Sequence, residues 1–124
     1  MADGQFYTLN VWEIRGGMRG NELEELTKNG IIPQYGQVPG VVSVKLFKIE
    51  ENDDTNKYVA MTVYESREAY QKWWANSESK LLAWQQKYKT VLERWVDVAS
   101  PIRKHGMTLL VDAVFPPGTP KIEL

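Results

Sequence analysis

The sequence contains no cysteine. Disulfides, thiolate nucleophiles and cysteine-ligated metals are thereby excluded. Histidine is almost as scarce: His105 is the only one, so a single chain cannot assemble a multi-histidine metal centre. A basic surplus is also missing. Lys and Arg number 15 against 16 Asp and Glu, a formal charge of -1, and no basic stripe runs along the chain. General nucleic-acid binding needs one or the other to displace counterions. No apolar run is long enough for a membrane span, and the polar start at Met1–Gly4 does not read as a signal peptide. The expectation is a cytoplasmic protein without metal or cofactor, binding neither nucleic acid nor membrane.

What is present describes an ordinary globular domain with an aromatic excess. The 124 residues suit one domain over 1–124, and 43% apolar against 25% charged residues argues against disorder. Trp numbers 5, Tyr 6 and Phe 3, with Trp73 and Trp74 adjacent. Such rings serve either a core or subunit interface, or a pocket for a flat aromatic ligand.

Phe6 to Arg15 alternates as a strand, with Phe6, Thr8, Asn10, Trp12 and Ile14 on one face and Tyr7, Leu9, Val11, Glu13 and Arg15 on the other. Gly16–Gly20 breaks it, without the Lys-Ser/Thr ending of a phosphate loop. Asn21 and Glu24 resemble a capping box, and Leu23, Leu26 and Thr27 continue a helical face. Gly30 and Pro33 should kink this helix, and Pro39-Gly40 should end it. Val41–Glu50 and Lys57–Ser66 read as a hairpin across the acidic turn Glu51–Asn56, which lacks the Gly and closing Glu of a calcium loop.

From Arg67 to Val96, Tyr70, Trp73, Trp74, Ser77, Leu81, Trp84, Tyr88, Val91, Leu92 and Trp95 fall within an arc of about 100°. A single helix of that length would run roughly 44 Å, too long for so small a domain, so a restart is expected at Asn76–Ser79. Pro101 should close the helical region, with a last strand at Met107–Phe115 and an extended tail over 116–124. The order β-α-β-β-α-β is α+β and ferredoxin-like: a four-stranded antiparallel sheet with the helices on one face. Because the strands are apolar on both sides, a second copy should pack sheet to sheet, giving a homodimer.

Two segments carry a family likeness. Ile31-Ile32-Pro33-Gln34-Tyr35 with Val38-Pro39-Gly40-Val41 resembles the helix-to-strand passage of the antibiotic-biosynthesis-monooxygenase-like dimeric α/β-barrel proteins. Val63-Tyr64-Glu65-Ser66-Arg67-Glu68-Ala69-Tyr70, followed by Trp73, resembles their strand, polar turn and aromatic-bearing helix. The likeness extends over about residues 6 to 115. It implies a dimeric α/β barrel and one of two chemistries: cofactor-independent oxygenation of polycyclic aromatic phenols, or haem degradation. For the haem-degrading branch it implies an Asn on strand one, matched by Asn10, and a Trp on the second helix, matched by Trp73. The implied helix histidine is not matched. That position falls near Ala83 and Trp84, neither of which binds iron, and His105 lies beyond Pro101.

The favoured reading is therefore a cofactor-independent monooxygenase for a small or polycyclic aromatic compound. Asn10 and Trp73 are its catalytic candidates, and Thr8, Trp12, Tyr64, Trp74, Ser77 and Trp84 its substrate-binding candidates. No residue is assigned as base. The alternatives are a non-enzymatic dimer that binds a small apolar ligand, a haem-binding or haem-degrading relative, and a structural dimer whose rings simply fill its core. In that last case Asn10 satisfies a buried backbone group.

Overall fold

The computed structural model describes residues 4–51 and 56–124. Positions 52–55 of the acidic turn, compared above with a calcium loop, lie outside the described residues, as do 1–3. The sheet holds β1 (Phe6–Ile14), β2 (Val41–Lys48), β3 (Lys57–Tyr64) and β4 (Ala99–Thr108) in the order β2-β3-β1-β4, with every pairing antiparallel. This is the ferredoxin-like arrangement.

Alternation assigns the two faces. Phe6, Thr8, Asn10 and Trp12 of β1 stand beside Tyr64, Thr62, Ala60 and Tyr58 of β3 on the face that the helices cover. The other face presents Tyr7, Leu9 and Val11 beside Val63, Met61 and Val59, with Phe47 and Met107 further out. Val11 and Val63 belong to neither helix-side core.

The first helical segment is broken, as Gly30 and Pro33 lead one to expect. It divides into α1 (Asn21–Leu26), a π-helical turn over Thr27–Ile31 and a short α2 (Ile32–Tyr35). The expected capping box does not form. Gly20 is the cap, Asn21 already lies inside the helix, and no side chain bonds the free amides. Gly30 is required for close packing: a Cβ there would lie 2.7 Å from a methyl of Val91. Gly40, at φ +88°, turns the chain into β2, and its carbonyl accepts from Glu65 N–H at 2.7 Å.

The long aromatic stripe is divided twice, into α3 (Arg67–Asn76), α4 (Glu78–Lys87) and α5 (Lys89–Val98). Ser66 caps α3 by accepting from Ala69 N–H at 3.1 Å. The break expected near Asn76 falls at Ser77. A second, at Tyr88, has no Gly or Pro to announce it.

The last strand differs most from expectation. It begins at Ala99, directly after α5, and ends at Thr108 instead of starting at Met107. Pro101 does not terminate regular structure. It sits in an edge strand, where the pairing with β1 shifts register between Val11 and Trp12, and there a missing N–H costs the ladder little. Beyond Leu109 the chain is extended and exposed, with Leu110, Val111, Val114 and Phe115 all facing solvent. The tail thus leaves the sheet earlier than residue 116.

Two apolar clusters lie between helices and sheet. One gathers Phe6, Val38, Tyr64, Trp73 and Trp84; the other gathers Leu23, Trp95, Val98 and Ala99. The seam between them holds the cavity described next.

Candidate functional site

Asn10 sits mid-strand on the helix-covered face, half-buried, and its side-chain amide makes no hydrogen bond to a described residue. It lines two adjoining hollows. The outer one, about 210 Å³, is bounded by Thr8, Asn10, Trp12, Tyr35, Thr62, Tyr64, Tyr70, Trp74 and Lys104. The inner one, about 100 Å³, shares Asn10, Trp12, Tyr35 and Thr62 and continues to Ile31, Val44 and Trp95. Four residues common to both make this a single seam-shaped space. Its size suits a small fused-ring ligand, since drug-sized molecules use about 300–1,000 Å³.

The walls are held by ring contacts. Tyr70 meets Tyr64 edge-on at 5.1 Å and Phe6 at 4.8 Å. Tyr35 packs edge-on against Trp84 at 5.3 Å, and Trp12 against Trp95 at 5.7 Å. Trp74 donates its indole N–H to the Tyr64 hydroxyl oxygen at 3.0 Å, so the Tyr64 hydrogen remains available to a ligand. Burial pushes the Tyr35 phenol well above its ordinary pKa, and the neighbouring Tyr64 and Tyr70 add to the shift. Burial likewise raises Tyr64, although the bond from Trp74 works against it. Both phenols are therefore neutral donors at ordinary pH. The indole N–H of Trp95, on the inner wall, is buried with no partner.

The sequence-derived candidates divide between this cavity and its surroundings. Asn10, Thr8, Trp12, Tyr64 and Trp74 line it. Trp84 stands behind it, edge-on to Trp73 at 5.4 Å and Trp74 at 5.9 Å, with its N–H donated to the Gln34 carbonyl at 2.8 Å. Trp73 lies on the same side of the sheet as Asn10 but is absent from the cavity wall. It packs within the first cluster and edges an outer cleft of about 360 Å³ together with Lys72, Ser77 and Lys80. Ser77 donates to the Lys72 carbonyl at 2.7 Å, which closes α3 and accounts for a polar residue in the apolar stripe. The outer cleft is larger, but Trp73 is the one aromatic ring among its described lining residues. A stacking ligand has one wall there and several beside Asn10.

Four residues of the outer hollow are not among the candidates that the sequence offers. Tyr35 stands in the helix-to-strand passage. Tyr70 was read only as part of the core stripe. Thr62 shares the parity of Tyr64 and was recoverable from it. Lys104, opposite Asn10, was hidden by the misplaced last strand.

His105 pairs with Leu9, so alternation turns it to the sheet face away from Asn10. The described residues contain no cluster of three or more His, Cys, Asp or Glu placed to hold a metal ion. Among them, no helix is long and apolar enough to cross a membrane.

Solved structures share the fold. SnoaB, a cofactor-independent oxygenase from Streptomyces nogalater, is 18% identical with a TM-score of 0.57, over 91% of this chain and 98% of that one. A haem-degrading protein from Mycobacterium tuberculosis is 18% identical with a TM-score of 0.56, over 91% and 99%. A nipsnap family protein of unknown function from Agrobacterium tumefaciens is 17% identical with a TM-score of 0.61, over 94% and 96%. Comparison with curated proteins gives no match. The family model described as antibiotic biosynthesis monooxygenase matches residues 5–87, which span β1 through α4 and most of the cavity wall. The chain belongs to the antibiotic biosynthesis monooxygenase family.

Proposed function

We propose that the protein is a cofactor-independent monooxygenase for a small fused-ring aromatic phenol, working as a cytoplasmic homodimer with the Asn10 cavity as its site. The observation that carries this reading is the make-up of that cavity. An unspent amide and a free hydroxyl hydrogen stand among aromatic walls drawn from β1, β3, α2 and α3.

An ionised phenol is electron-rich enough to reduce dioxygen by itself. The protein then has to hold the ring flat, bond its oxygen and keep bulk water out. In the net reaction the ring CH para to the phenol oxygen, a CH2 in the keto tautomer, becomes a carbonyl. One atom of O2 enters the ring, the other leaves as water, and the substrate supplies all four electrons. Asn10 donates its amide N–H to the phenol oxygen, with Tyr64 and Thr8 beside it, while Trp12 and Trp74 form walls. Trp73 and Trp84 act from behind, as the ring stack that fixes Trp74 and Tyr35.

The homodimer rests on the uncovered sheet face. Tyr7, Leu9, Val59, Met61 and Met107 form an apolar surface that a second sheet would cover at a spacing of about 10 Å.

A haem-degrading role fits less well. The lone histidine faces away from the cavity, and burial holds Tyr35 and Tyr64 protonated, which leaves iron without a good donor there. A second reading, a non-enzymatic carrier of the same aromatics, draws on one observation: among the described residues, no carboxylate or histidine lines the cavity to act as base.

One experiment separates the readings. Purified protein is mixed with anthrone in air-saturated buffer while oxygen uptake and the anthraquinone spectrum are followed. Saturable acceleration over buffer supports the monooxygenase. Saturable quenching of tryptophan fluorescence without oxygen uptake supports the carrier. Neither response overturns both.

A further inference from the structure

We infer that Lys104 recognises an ionised oxygen on the aromatic ligand, so that the cavity selects phenols in their phenolate form over neutral rings of the same shape. The inference deepens the proposed function and rests on the Asn10 cavity being the ligand site.

Lys104 reaches this position through the pairing of β1 with β4, which sets it directly across from Asn10. Both residues line the outer hollow. The other ionisable groups there are Tyr35 from α2, Tyr64 from β3 and Tyr70 from α3, all phenols, so among the described residues the lysine brings the only cationic group to the lining. Four other cationic side chains form ion pairs: Lys28 with Glu24, Lys57 with Glu13, Lys89 with Glu93, and Arg94 with Glu22. Lys104 makes no ion pair among the described residues.

A positive charge at the mouth of a space walled by rings acts through a medium of lower dielectric than bulk water. An anion entering that space gains an opposite charge and the Asn10 amide together, whereas a neutral ring gains only the walls. This also answers the absence of a base. Ionisation of the bound phenol passes its proton to water, Lys104 stays protonated, and the paired charges hold the product of that step in place. An opposite charge within about 4–6 Å typically lowers an acid's pKa by roughly 1–3 units.

The test uses two probes on the full-length chain. 2-Naphthol reports its own ionisation through its absorption spectrum, and 2-methoxynaphthalene has the same rings but cannot ionise. Binding of either is read by tryptophan fluorescence. The phenolate band of bound 2-naphthol is expected at a pH about 1–3 units below that of the free compound. Lys104→Met should remove this shift, Lys104→Arg should keep it, and 2-methoxynaphthalene should bind all three proteins alike. Lys104 is exposed on an edge strand, so these variants should fold. If 2-methoxynaphthalene binds while 2-naphthol ionises as in free solution, or ionises identically in Lys104→Met, the role of Lys104 is overturned and the cavity stands. If neither probe binds, the cavity falls as a site for these aromatics, and this inference falls with it.

Discussion

Asn10 and Lys104 stand directly opposite each other where β1 pairs with the edge strand β4, both lining the hollow between sheet and helices. A neutral donor and a cation thus converge on one point, although 93 intervening residues separate them in the chain.

The first prediction concerns the neutral partner. Because the Asn10 amide spends no hydrogen bond on the fold, Asn10→Ala should leave the melting temperature nearly unchanged. Its affinity for 2-naphthol should fall by about 0.5–1.5 kcal/mol, the worth of one hydrogen bond. Asn10→Asp should weaken phenolate binding further, through like charge. Titration by tryptophan fluorescence beside a thermal melt checks both. A melting temperature that falls while affinity holds would return Asn10 to a purely structural role.

Trp84 should behave oppositely. It is buried against Trp73, Trp74, Tyr35 and Tyr88, and its N–H serves the Gln34 carbonyl. Truncation to Ala should cost about 3–5 kcal/mol in urea unfolding, the usual loss for a buried large ring. Trp84→Phe retains a ring but leaves that carbonyl with the long bond from Gln37 N–H at 3.4 Å, and should cost less than the Ala variant.

How much of this was visible in the sequence depended on periodicity. Strict alternation from Phe6 to Ile14 was enough to put Asn10, Thr8 and Trp12 on one face, and the α-helical spacing of rings put Trp74 and Trp84 against it. Lys104 was not visible. Pro101 reads as a terminator in any linear scan, and only pairing with β1 makes it an edge-strand residue and brings Lys104 beside Asn10. Tyr35 was obscured in the same way, since a π-helical turn sets its direction and no simple spacing describes that turn. Trp73 and Trp74 are adjacent in sequence, yet only Trp74 reaches the cavity, because a helix turns by about 100° between neighbours.

The uncovered sheet face carries a third prediction. Light scattering at micromolar concentration should give twice the 14.3 kDa chain mass. The mass should change little between low and high salt, because the packed face is largely apolar. Met61→Glu, which buries an unpaired charge at the centre of that face, should yield a monomer with intact secondary structure by circular dichroism.

A fourth prediction follows from the buried phenols. Tyr35 and Tyr64 ionise less readily in the folded chain than in the unfolded one. A raised pKa contributes stability that is fully present below the unfolded value, about 10, and is lost as pH rises towards the folded value. Urea unfolding should therefore show no pH dependence from these phenols between about pH 6 and 9, and a decline above about pH 10. Tyr35→Phe should flatten the decline. An equal alkaline loss in that variant would exclude Tyr35 as its source.

The π-helical turn at Thr27–Ile31 makes the aim of Tyr35 a matter of residue count. Relative to an α-helix, such a turn holds one surplus residue in its hydrogen-bonded ring. Deleting Asn29, which is exposed, would remove that surplus and let the segment close as an ordinary helix, losing the widened turn from which Ile31 and, beyond it, Tyr35 reach the cavity wall. Among relatives of this chain, the length of this stretch would then divide those that keep a ring at the end of α2 facing Asn10 from those that open the space to a different guest.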